Sequence, residues 1–143
     1  MLMMAPVRVN DGAELASNAG NLAAVLATWR DQHPSVLAAL EGEFCRLVPE
    51  FGGIALTSTA EGTVQLGARL RDDGQRVVTA DNLSQGTLYL LAMLTLAFVP
   101  RPPAVVCIEE ADRGLHPRSL REVRDALYRL SYPRDAGLER APV

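Results

Sequence analysis

Residues 104–117 read AVVCIEEADRGLHP, and this stretch decides the fold class. Positions 104–108 form a continuous apolar run, the pattern of a strand buried on both faces of a parallel sheet. Glu109 and Glu110 end that run abruptly. A turn with Gly114 follows, and Pro117 opens a last helix that carries Leu120, Val123, Leu127 and Leu130 on its inner face. A strand leading through a short turn into a helix is an α/β signal. Two carboxylates at the C-terminal end of a parallel strand stand where α/β sheets place their ligands. In a nucleotide site the first acid would hold Mg²⁺, directly or through water, and the second would polarise an attacking water. Like charges so close repel unless a cation shares the site. The plain alternative is a strand that ends in solvated acids.

Upstream of this stretch lies Leu83-Ser84-Gln85-Gly86-Thr87, followed by an apolar helix that runs to about Val99 and is broken by Pro100, Pro102 and Pro103. A serine at the mouth of a helix, with glycine two residues later, offers a hydroxyl and free backbone N–H groups to an anion. The helix dipole favours negative charge at the same place. An ordinary serine N-cap gives the same pattern. Further upstream, Leu22, Val25, Leu26 and Trp29 fall on one face of a helix with Asn21 as its N-cap, and Pro34 opens a second helix with Leu37, Leu40, Phe44, Leu47 and Val48. Pro49 and Gly52-Gly53 stop it. Residues 54–59, 63–71 and 76–80 are rich in Val, Leu, Ile and Thr, and Glu61-Gly62 and Asp72-Asp73-Gly74 separate them as hairpin turns. They predict a short antiparallel meander. Residues 1–20 and 132–143 show no period and read as a loop or frayed entry and an aperiodic tail.

Composition narrows the chemistry. The 143 residues carry a net charge of −3, and all 14 basic residues are arginine. A mechanism that needs a lysine ammonium therefore has no candidate here. No basic run marks a nucleic-acid footprint. Cys45 and Cys107 sit in apolar contexts without metal-ligand spacing and read as reduced core residues. Residues 88–99, the longest apolar stretch, fall well short of a bilayer crossing, and no signal peptide is readable, so a soluble, cytoplasmic protein is expected.

A helix start of the Leu-Ser-x-Gly-Thr type, an apolar strand ending in two acids and a Gly-Leu-His-Pro turn occur here in one order. In this the chain resembles the RecF/SMC/OLD-type ABC ATPases, often labelled AAA-type. The resemblance spans roughly residues 20–131, with the specific motifs in 82–117. It implies an α/β fold, a partial P-loop NTPase domain of ABC type over 21–131, with N-terminal helices and an antiparallel β meander, then helix–parallel strand–helix. It also implies ATP and Mg²⁺ as cofactors. Ser84 and Gly86, with Gln85 and Thr87, match the signature that reaches the γ-phosphate across a dimer. Glu109 matches the Walker B acid that supports Mg²⁺, Glu110 the glutamate that activates water, and His116 the loop that bridges two composite sites.

The sequence also departs from that pattern. Ala111, Asp112 and Arg113 replace the usual Pro, Glu and a small or polar residue, changes a turn tolerates. No G-x-x-x-x-G-K-[ST] occurs in these residues, and a chain without lysine cannot contain one. The strand and switch histidine that follow the last helix in the family are not readable either. The expectation is a portion of an ATPase that binds ATP weakly or undetectably and does not hydrolyse it alone. It would act as a homodimer or with a P-loop-bearing partner chain, so ATP and Mg²⁺ are conditional on that loop. A non-catalytic interaction module and a truncated remnant are the alternatives. A link to nucleic acid rests on family analogy only.

Overall fold

A computed structural model describes residues 7–8, 14–59, 62–109, 112, 115 and 117–131. The elements run β1 (Val7–Arg8), α1 (Leu22–Gln32), α2 (Pro34–Leu47), β2 (Phe51–Ser58), β3 (Thr63–Leu70), β4 (Val77–Thr79), a 3₁₀ turn (Ala80–Asn82), α3 (Gln85–Ala97) and α4 (Pro117–Ser131). The architecture is α/β, and the chain divides after Ser84 into two compact units. None of the described helices is long and apolar enough to cross a membrane.

In the first unit β3 is the central strand of an antiparallel sheet. β2 lies along one of its edges, and β1 and β4 share the other. The expected meander is present. Gly62 turns the β2–β3 hairpin with φ +69°, a left-handed conformation that costs glycine nothing. At the β3–β4 turn, Asp73 Oδ1 accepts from Gln75 N at 3.1 Å, and Leu70 N donates to Arg76 O at 3.0 Å. Gly67 permits the close approach of β4, since a Cβ there would stand 2.7 Å from Val77 Cγ1 and 2.8 Å from Val78 O.

The first-unit core is built from the predicted helix faces. Leu22, Leu26, Leu40 and Phe44 are fully buried, and Val64 and Leu66 on β3 are nearly so. Phe44 on α2 stacks on Phe51 at the start of β2, with ring centroids 5.9 Å apart and planes 9° from parallel. That contact ties helix to sheet.

Four expectations change. Val7–Arg8, in the region read as a loop, pairs with β3 at Val64 and Thr63. Gly52 and Gly53, read as a helix stop, lie inside β2 at a register shift between Phe51 and Gly53, where the strand absorbs an extra residue. Asn21 stands at the start of α1 but makes no side-chain cap. Its amide instead accepts from Ala16 N at 2.8 Å and donates to Glu14 O at 2.7 Å, which fastens the preceding loop.

The fourth difference bears on function. In the second unit the buried parallel strand expected over 104–108 is not formed. Ala104, Val105 and Cys107 are exposed, Val105 at 63%. Cys107 is thus no core residue, and Cys45 is half-buried; both thiols are free. The physical reason is a missing neighbour. A strand satisfies its N–H and C=O groups on other strands, and the described residues of this unit contain none. What remains is a helix pair. α3 and α4 pack on each other, α4 through Val123 and Leu127 one turn apart. α3 is apolar nearly all round, and buried Thr95 returns its hydroxyl to Leu91 O at 2.8 Å.

Phe44→Ala should remove the stacked ring from a site with no room to collapse and cost about 3–5 kcal/mol of stability. Urea unfolding measures this. A loss below about 1 kcal/mol would mean that the α2–β2 contact does not hold the first unit together.

Candidate functional site

The predicted site residues fall on three segments. Leu83, nearly buried, closes the 3₁₀ turn by donating from its N–H to Ala80 O at 3.3 Å, and its extended backbone (φ −77°, ψ 149°) leads into Ser84. Ser84 is exposed and immediately precedes α3. Gln85, also exposed, opens the helix, with Gly86 and Thr87 half-buried in its first turn and Leu88 fully buried behind them. Leu83 and Leu88 are thus the buried residues that flank the motif in sequence. The first turn of α3 carries no acidic residue, so nothing there opposes an anion drawn by the helix dipole.

Ser84 is the last residue of the first unit, whereas Gln85, Gly86 and Thr87 belong to the second with Glu109. Glu109 is exposed and sits in the irregular segment after α3. Glu110 and His116 lie outside the described residues. Leu115 N donates to Asp112 O at 3.2 Å, closing a turn just ahead of Pro117. Gly114 and His116 of the Gly-Leu-His-Pro stretch lie outside the described residues.

The donor set was tested against a nucleotide with its metal. A helix mouth with a hydroxyl and a glycine suits a phosphate from one side. A complete grip also needs a cationic group and a backbone cradle around the β- and γ-phosphates. No lysine and no P-loop pattern occur in the sequence. Among the described residues no group of three or more His, Cys, Asp or Glu side chains could hold a metal ion. The residues present therefore do not fit a complete Mg-nucleotide site.

Sequence reasoning missed a polar cluster on the other unit. Glu41 on α2 accepts from Ile54 N at 2.6 Å, and Arg69 Nη2 donates to Ile54 O at 2.8 Å. Arg71 donates from Nε to Pro49 O at 2.6 Å and from Nη2 to Cys45 O and Phe51 O, each at 3.0 Å. Those arginines hold the end of α2 and the start of β2 together. The signal available in the sequence was a glycine pair opening a β-rich stretch. Partial burial pushes the Cys45 thiol above its ordinary range, nearby Glu41 adds to the rise, and Arg71 and Arg69 oppose it.

The model of a family described as "AAA domain, putative AbiEii toxin, Type IV TA system" matches residues 9–138. No curated protein and no solved structure matches the chain.

Cys107 should react with a thiol reagent at pH 8 well before Cys45, because it is exposed and Cys45 is held protonated. Cys107→Ser should remove the fast phase and Cys45→Ser should leave it; equal rates would contradict the environments described. The raised Cys45 pKa also sets a sign. Its contribution to stability is complete at neutral pH and is lost as pH rises past the ordinary thiol range.

Proposed function

The chain belongs to this AAA-domain family, and we propose that it supplies one face of a composite ATP-hydrolysing site whose phosphate-gripping loop comes from another chain or from a segment outside these residues. AAA-domain proteins work with ATP and Mg²⁺. The observation that carries the reading is the start of α3, an exposed Ser84 directly ahead of a helix whose first turn holds Gly86 and no acid. The resemblance to RecF/SMC/OLD-type ABC ATPases suggests the roles. Ser84, Gln85, Gly86 and Thr87 would face a phosphate held by the partner, Glu109 would face the metal ion, and Glu110 would be the general base. His116 would lie between the two composite sites.

The exposed apolar run over 104–108 supports the same reading. A segment rich in β-branched side chains that finds no strand to pair with in its own unit is suited to pair with one from a P-loop-bearing chain or a second copy. The same exposure favours a second reading, a non-catalytic module that presents its signature face to a P-loop partner. Glu110→Gln separates them. It should abolish hydrolysis by the assembled complex if the chain is part of the enzyme, and leave hydrolysis unchanged if the chain only docks.

Calorimetry of Mg-ATP with the purified chain alone should give no binding heat at nucleotide concentrations up to about 1 mM, roughly the weakest binding the method reads. Micromolar binding would overturn the composite-site reading, because arginines would then have built a phosphate grip within this chain.

A further inference from the structure

We propose that Glu41 and Arg69 form a guard that seals the outer edge of β2 against strand addition by a second copy of this chain. The register places the guard. Thr59 N donates to Thr63 O, so the pairs of odd-numbered β2 residues with β3 exchange ladder hydrogen bonds. Ile54, Leu56 and Ser58 alternate with them and turn their N–H and C=O groups away from β3. At Phe51, beyond the register shift, those groups are taken by Val48 O and Arg71. At Ile54 both are taken by side chains, the N–H by Glu41 and the C=O by Arg69. At Leu56 and Ser58 they have no hydrogen bond among the described residues.

Gly53 makes the guard feasible. Arg69 lies opposite Gly53 in the ladder, so its guanidinium crosses the width of β2 directly over a residue with no side chain. A Cβ on Gly53 would stand 2.8 Å from Glu41 Oε1 and 3.2 Å from Arg69 Nε. The two side chains also lie within ion-pair range of each other at 3.8 Å.

The free part of the edge selects a second copy as occupant. Two β2 strands can run antiparallel about a two-fold axis through Leu56, so that Leu56 faces Leu56 and Ile54 faces Ser58 of the second copy at either end. All three facing pairs then present outward groups to one another and exchange hydrogen bonds. With the guard closed, Ile54 is occupied in both copies and only the central pair remains. Opening the guard restores the outer two.

The test is hydrogen exchange read at single amides, with light scattering over a concentration series, on the full chain and on Glu41→Ala. Mass alone does not decide, because the 104–108 run offers another route to association. In the unaltered chain the Ile54 amide should be protected and the Leu56 amide should exchange freely at every concentration. In Glu41→Ala, Ile54 should exchange about tenfold faster or more when dilute. When concentrated, Leu56 and Ile54 should both become protected as the mass doubles. Adding Leu56→Pro, which removes the outward N–H at the centre of the pairing, should abolish the concentration-dependent protection of Ile54. Arg69→Leu, which frees the carbonyl alone, is the second variant should Glu41→Ala fail to fold, and it should give the same gain more weakly. The proposal fails if Leu56 stays unprotected in the folded variants at all concentrations, or if the concentration-dependent protection of Ile54 survives Leu56→Pro. A protected Leu56 in the unaltered chain would also overturn it. None of these outcomes touches nucleotide binding, so they leave the ATPase reading where it stands.

Discussion

Every backbone N–H and C=O taken from water needs a partner, and in this protein that requirement decides which apolar stretches become strands. β3 succeeds because it has neighbours on both edges: β2 along one, β1 and β4 along the other. Among the described residues β2 has a neighbour on one edge only, and at Phe51 and Ile54 the other edge is completed by Arg71, Arg69, Glu41 and the Val48 carbonyl. Glycine at 53 lets those side chains come close enough to do so, and glycine at 67 gives β4 the same close approach to β3. The run over 104–108 has the same kind of apolar sequence and no neighbour among the described residues, and it stays irregular and exposed.

That contrast shapes the functional reading. The sequence predicts Glu109 at a strand's end, and here it sits exposed in an irregular segment. An acid placed that way is not oriented toward a metal ion or a phosphate. Pairing of 104–108 with a strand from elsewhere would order it and aim it in one event. Assembly and completion of the site would then be a single step, with strand pairing supplying the hydrogen bonds that this unit lacks.

Much of this was legible in the sequence where the deciding forces are local. The helices α1, α2 and α4, the turn residue Gly62, the Asp73-Gly74 turn, and the start of α3 at Gln85 follow from periodicity, proline placement and turn chemistry. Readings failed where the outcome depends on a distant partner. The 104–108 run has strand chemistry, but strand formation is settled by what lies beside it. Gly52-Gly53 carries a stop signal after a helix, yet in β2 it marks a register shift and a crossing arginine. The pairing of Val7–Arg8 with β3 depends on residues more than fifty positions away, and no local pattern records that. Of the candidate site, the order of motifs was readable, whereas the exposure of Glu109 was not.

The acid-bearing segment, as described, forms no strand within its own unit. Amide hydrogen exchange on the isolated protein, comparing 104–109 with β3, is the measurement to make: 104–109 should exchange near the rate of an unstructured peptide while 64–69 is slowed by about a thousandfold or more. Protection of 104–109 comparable to that of β3 would contradict it and would mean that the strand, and the orientation of Glu109, are already complete without a partner.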